Sequence, residues 1–233
     1  MPKIKIQVDI QKDAWNWWYS CNKVSHGVDW KNRIDESIWE NIHGKTQEQA
    51  FEFLVPYLKN YYIKKQQHFD FIIKQAKQIF KDKLDDVCQI MEKVTQQPLY
   101  RQDFTFYLTT FPRCPYDYAS GSIWLCTLWS VEDVLDTFIH ELLHFQVMHY
   151  YKDNPQVQRM SLAKFEDLKE SLTIILNYEF NQYLNNPDMG YAKHRKLREK
   201  LAKFWQSNKD FAKLIEYGSN ILIKNQIYHR VFL

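Results

Sequence analysis

The sequence predicts an α+β fold, mainly helical with one small mixed β-sheet, as a single domain over residues 1–233. Three observations carry that expectation. Residues 3–10 and 104–109 alternate apolar and polar side chains at the period of a half-buried strand. From residue 46 onward, long stretches carry apolar residues at helical spacing, punctuated by Pro, Asn and Gly. Apolar residues make up 45% of the chain against 25% charged, a balance that buries a core and excludes disorder.

The elements follow in order. Ile4, Ile6, Val8 and Ile10 share one face of the first strand. An aromatic stretch with Trp15, Trp17, Trp18 and Tyr19 comes next, either core packing, a cap over a helix or a ligand wall; residues 35–42 read as a short helix ending at Gly44. Thr46 with Gln49 forms a capping-box pattern, and Pro56 is expected to kink or interrupt the helix that follows. Helix then runs to about Thr95, closed by Gln97-Pro98, with Lys74, Lys77, Lys81, Lys83, Asp85 and Asp86 as its solvated face. Strand 104–109, a loop over 111–121 and strand 122–128 precede a helix over 131–151, for which Ser130 is the expected N-cap and Asp133 the capping-box partner. Asp153-Asn154-Pro155 breaks it. A helix over about 161–184 follows, stopped by Asn185-Asn186-Pro187-Asp188, and helical segments 191–205 and 210–224 close the chain. The domain thus has a strand-and-helix portion (1–98), a sheet-and-helix portion (99–151) and a helical portion (152–233).

Composition narrows the function. Only five glycines are present, so a Gly-rich phosphate cradle is not available. A net charge of +3 argues against a general nucleic-acid binder. Cys21, Cys88, Cys114 and Cys126 are widely spaced without a CxxC pair, as in a reduced intracellular chain. The first residues alternate too regularly for a secretion signal, and nothing approaches the ~20 apolar residues of a spanning helix. The expectation is a soluble, cytoplasmic protein with no membrane partner.

The chemistry lies in DTFIHELLHFQ, residues 136–146. His140 and His144 are four apart, hence neighbours on a helix, and can offer two imidazoles to one ion. Glu141 lies one step round, too offset to be a ligand and placed to hold a water; this is the HExxH pattern of zinc sites. Phe138, Ile139, Leu142, Leu143 and Phe145 bury the helix, so three polar groups leave water and need a partner. The bland alternative is two half-exposed, hydrogen-bonded histidines.

A catalytic zinc site needs a third protein ligand and an open position. His149 lies about 140° round from His144 and is rejected. Glu170, in an otherwise apolar run of the next helix, is the preferred ligand, with Glu166 and then Glu179 behind it. HELLH followed by KESLT at 169–173 resembles the gluzincins, zinc metallopeptidases in which the helix after HExxH supplies a glutamate. Glu170-Ser171-Leu172 is similar to the Glu-Gly-Leu of many members, and the strands at Phe104 and Ile123 look like that fold's small sheet beside the active-site helix, whose edge strand lines the substrate cleft. The resemblance covers residues 101–184, is specific at the two motifs, and implies a zincin-like domain. Two departures stand out: the spacing from His144 to Glu170 is longer than in the best-known members, and Ile174 stands where some carry an aspartate that orients a histidine. Thr173, Asn177 or Asp136 are the candidates for that role here.

The expected function is a zinc-dependent hydrolase acting on a peptide or protein, with zinc on His140, His144 and Glu170 and with Glu141 as catalytic base. The strand around 123–126 would pair with an extended peptide. Tyr178, Tyr191, His194, Tyr217, Tyr228 and His229 are candidate oxyanion donors. The alternatives are a catalytically silent zinc-binding regulatory or interaction protein, and a nucleic-acid-associated protease using the basic helix 192–205.

Overall fold

The computed structural model describes residues 2–23 and 28–231, with side chains as far as Lys224. It is α+β, with mostly helical residues and a four-stranded mixed sheet among the described residues. The chain forms two compact units, Lys3–Lys81 with Asp103–Val134, and Asp82–Gln102 with Leu135–Leu233. One long helix runs through the junction at residues 81 and 82.

The first unit holds the sheet. Strand β1 (Lys3–Val8) lies parallel to β2 (Asp103–Thr109), β2 parallel to β4 (Ser122–Cys126), and β3 (Tyr116–Asp117) antiparallel to β4, in the order β1-β2-β4-β3. Alternation sets the faces of β2, where Phe104, Phe106 and Leu108 are buried. β1 stops two residues earlier than its apolar pattern suggests. Asp9 leaves the strand and accepts from the amides of Gln11 and Lys12, so Ile10 opens helix α1 (Ile10–Asn22) instead of extending β1.

β4 is not an edge strand, contrary to the peptide-pairing expectation. β2 occupies one side. On the other, the Trp124 amide donates to the Pro115 carbonyl at 2.8 Å and the Cys126 amide to Cys114 Sγ at 3.2 Å. The loop 111–121 has turned back and taken the donors an incoming peptide would need.

The aromatic residues of α1 are packing material. Trp17 is buried, meets Phe111 edge-on and donates to Thr110 Oγ1; Trp15 packs at a tilt against Tyr19 and Trp124; Trp18 donates to the Lys45 carbonyl. Beneath them Asp13, fully buried, accepts from Thr109 Oγ1, the Thr110 amide and hydroxyl, and Tyr62 Oη at 2.6–3.0 Å. Burial pushes its carboxyl up to about 6 against the pull of those donors.

Helix α2 (Glu36–Ile42) is capped by Asp35, and α3 (Gln47–Lys64) by the Thr46–Gln49 box. Pro56 does not interrupt α3: the ring forfeits one backbone bond, and the helix continues through it because Leu54 and Leu58 are buried on either side. Helix α4 (Gln66–Thr95) contributes to both units, with its lysines exposed, and ends where Gln96 adopts φ 55°.

The second unit is helical. Helix α5 (Asp133–Tyr151) starts two residues later than expected. The Ser130 hydroxyl hydrogen-bonds the Glu132 carboxylate, and the Ser130 carbonyl accepts from the Asp133 amide. Phe138, Ile139, Leu142, Leu143 and Phe145 are fully buried. The single helix expected over 161–184 is instead α6 (Leu162–Leu172), a 3₁₀ turn (Thr173–Ile175) and α7 (Leu176–Glu179). Two hydroxyls explain the break: Ser171 bonds back to the Asp167 carbonyl and Thr173 to that of Glu170, competing with the helix ladder. Helices α8 (Arg195–Asn208) and α9 (Phe211–Val231) complete the unit. Gly218 lets α9 pack closely on α6 and α8, since a Cβ there would stand 2.5 Å from Leu168 Cδ1 of α6 and 3.1 Å from Leu201 Cδ2 of α8.

No helix among the described residues is long and apolar enough to cross a membrane. None of the four cysteines is in a disulfide. Burial pushes the thiols of Cys21 and Cys88 up to about 12 and that of Cys126 to about 11, whereas Cys114 is half-buried.

Candidate metal centre

Helix α5 places His140 and His144 one turn apart on one face, with ring centroids 4.4 Å apart. Ser161 caps α6, and the third turn of that helix brings the Glu170 carboxylate to them. Glu170 Oε1 lies 3.3 Å from His144 Nε2, and Oε2 lies 3.8 Å from His140 Nε2. Two ligands ~2.1 Å from a common ion at the tetrahedral angle stand ~3.4 Å apart, so these spacings fit a zinc-sized ion. Among the described residues this is the one cluster of His, Cys, Asp or Glu whose ligand atoms converge, all within 4.8 Å of one another.

The other candidates fall elsewhere. Glu166 is half-buried and pairs with Lys169 at 2.7 Å; Glu179 accepts from Trp205 Nε1 and pairs with Lys209. His149 is exposed and lies against Tyr100 and Tyr150. His194 is buried and bonds Asp167 at 3.0 Å, Tyr217 stacks on Phe204, and Tyr178 and Tyr191 are partly exposed. None of these belongs to the three-ligand cluster. Tyr228 and His229 lie outside the described side chains.

The carboxylate that orients a histidine is Asp188, which the sequence reading treated only as part of a helix stop. Its Oδ2 is 2.7 Å from His140 Nδ1. That contact engages Nδ1 and leaves Nε2, the atom that would meet an ion once its own proton is displaced, on the Glu170 side of the ring. The three residues offered for the role support Asp188 instead. Thr173 Oγ1 lies 2.9 Å from its Oδ1, Asn177 exchanges two hydrogen bonds with its backbone, and Asp136 accepts from the amides of Asn185 and Asn186. Arg198 then grips Asp188 Oδ1 at 2.7 Å.

Charges within the cluster are strongly perturbed. Burial opposes the charge on His140, but the Asp188 bond and the carboxylates of Glu141 and Glu170 outweigh it and hold the imidazole up at about 9. Burial, reinforced by His140, pushes His144 down to about 3, so its ring is neutral and fit to be a ligand. Glu170 and Asp188 stay well below the usual carboxylate range despite burial, because histidine partners bond them. Glu141 moves the other way: burial pushes it up to about 7, with His140 pulling against it. Its Oε2 is buried and has no hydrogen-bond partner among the described residues. Lys169, buried on α6, adds positive charge near Glu141 and Glu170.

This donor set fits a catalytic metal better than a closed structural one. Two imidazoles and one carboxylate leave a position open. The His144 and Glu170 side chains are 1% and 9% exposed, against 27% for His140, so the opening lies on the His140 side. A buried carboxylate oxygen without a donor is what a nearby water or ammonium would satisfy.

Comparison of the chain with protein-family models, curated proteins and solved structures finds no match in any of the three.

Proposed function

We propose that this chain is a zinc-dependent hydrolase that cleaves peptide bonds, with zinc on His140, His144 and Glu170. The observation that carries the reading is the Glu170 carboxylate spanning both Nε2 atoms, one oxygen at 3.3 Å and the other at 3.8 Å. Zinc bound there supplies Lewis acidity that polarises a carbonyl and brings a water's pKa toward ~7. Glu141, next to His140 on α5, takes the proton of the attacking water and passes it to the leaving amine. Its Oε2 has capacity for that proton. His144 and Glu170 anchor the ion from the buried side, and the exposed flank of His140 faces the incoming substrate.

The peptide or protein substrate rests on the HELLH and KESLT resemblance. The cysteines support a reducing, cytoplasmic setting. The 27% exposure of the His140 side chain supports an accessible position over a closed structural site. α8 buries Leu197, Leu201 and Trp205 and exposes Lys196, Lys200 and Lys203, the pattern of an amphipathic surface helix, so a nucleic-acid role gains no support.

Metal analysis of the purified chain tests the reading. About one zinc per chain is expected, lost in His140→Ala and His144→Ala and kept in Glu141→Gln, with hydrolysis of a peptide library lost in all three. Full zinc content in both histidine variants overturns the metal assignment. Zinc binding with unchanged cleavage in Glu141→Gln overturns the mechanism.

A further inference from the structure

We infer that Arg198, on a helix that supplies no ligand, is a positioning residue for the metal centre, acting through Asp188 on His140. The inference rests on the metal reading above. Its guanidinium, on a residue only 4% exposed, is committed to this region. Nη1 donates to the Glu170 carbonyl at 3.2 Å and lies 2.5 Å from Thr173 Oγ1; Nη2 donates to the Asp188 carbonyl at 2.6 Å and to Asp188 Oδ1 at 2.7 Å. One planar group therefore holds the backbone of one ligand residue and the carboxylate that orients another.

The two Asp188 oxygens divide the work. Oδ2 meets His140, while Oδ1 meets Arg198 and Thr173. Rotation of the carboxylate away from His140 would break the contacts at Oδ1, so the forked donor fixes the plane in which Oδ2 lies. The segment 185–190 is fastened at both ends. Asp136, one turn before His140 on α5, holds its start through two amides. At its end Gly190 (φ +59°) lies over the guanidinium so closely that a Cβ would stand 2.6 Å from Nη1 and 2.7 Å from Cζ. Only glycine permits both that backbone angle and that approach.

A buried ion pair is a poor investment for stability alone, since desolvation offsets much of the attraction. Orientation of a ligand is a different return. Second-sphere partners of ligand histidines set metal affinity by 10–100-fold, and lysine cannot replace a forked donor.

The experiment is a zinc affinity series on the full chain, by competition with a chromophoric chelator, for Asp188→Asn, Arg198→Lys, the double variant and Gly190→Ala. Melting of the metal-free proteins and the cobalt(II) absorption spectrum are recorded alongside. Asp188→Asn should weaken zinc binding by roughly 10–100-fold. Arg198→Lys should weaken it by about tenfold with an altered cobalt spectrum, and the double variant should bind no worse than Asp188→Asn alone. Gly190→Ala, which pushes the guanidinium without removing it, should move affinity the same way by less. Wild-type affinity in both Arg198→Lys and Gly190→Ala overturns the inference. So do losses that multiply in the double variant, since Arg198 would then act independently of Asp188. A wild-type chain that binds zinc no better than His144→Ala overturns the metal reading itself, and the inference with it.

Discussion

Asp13 in the sheet-bearing unit and Glu141 in the helical unit are both buried acids pushed up by burial, to about 6 and about 7. The difference that matters is in their hydrogen-bond partners. Asp13 accepts from two threonine hydroxyls, an amide and a tyrosine, so its oxygens are occupied by neutral donors. Glu141 has an oxygen with no donor among the described residues. A perturbed carboxyl by itself therefore does not mark a site, since Asp13 joins helix to strand with the same kind of shift. Acceptor capacity left unused in a buried position is the distinguishing sign.

The largest effect that sharpens this contrast is on turnover. Glu141→Gln should lower peptide hydrolysis by roughly 10²–10⁴-fold, the usual contribution of a positioned acid–base, while zinc content and melting temperature hold. Asp13→Ala should do the reverse. It leaves the Thr110 amide without its acceptor and the Tyr62 hydroxyl with only the Leu108 carbonyl, and should cost about 2–3 kcal/mol in chemical denaturation, with zinc content unchanged. The contrast breaks if Asp13→Ala abolishes cleavage in protein that remains folded.

A comparable effect, spread over pH, follows from the sign of the Asp13 shift. Its folded value of about 6 lies above the ordinary 3.8, so the folded state holds the proton more tightly. The contribution of Asp13 is fully present below about pH 4, is lost as pH rises toward 6, and is flat above that. Over about two pH units this amounts to at most about 3 kcal/mol. The difference between wild type and Asp13→Asn in urea titrations at pH 4, 5, 6 and 7 isolates it from other acids; a difference constant with pH would show that Asp13 does not titrate in that window. The smallest effect is a control away from both acids. Thr46→Ala removes half of the capping box of α3 and should cost about 1 kcal/mol, with no change in zinc affinity or cleavage.

Sequence made legible whatever follows from local spacing. Four-residue spacing on a helix placed His140 and His144 together, alternation located β2, and the Thr46–Gln49 pair located the start of α3. Glu170 was readable because a lone acid in an apolar run needs a partner. Asp188 and Arg198 were not, because they reach His140 and Glu170 across 48 and 28 positions, through a non-periodic turn whose Pro and Gly advertise only a chain reversal. The same limit misplaced β4 at an edge: whether a strand is flanked depends on where the next loop returns, and the Pro115 carbonyl and Cys114 thiol carry no periodic signature. Ser171 and Thr173 show a subtler loss. Their hydroxyls read as small helix-compatible groups, yet in the fold they bend α6 into the 3₁₀ turn that presents Thr173 to Asp188 and Arg198.

The distribution of the cysteines has a practical consequence. At neutral pH the thiolate is the reactive form, and Cys21, Cys88 and Cys126 are held far from it by their enclosure. Cys114, beside β4, is half-buried where the other three are buried. A fluorophore or spin label carried on a maleimide will therefore attach there first, giving the native chain a single reporter without any engineered residue.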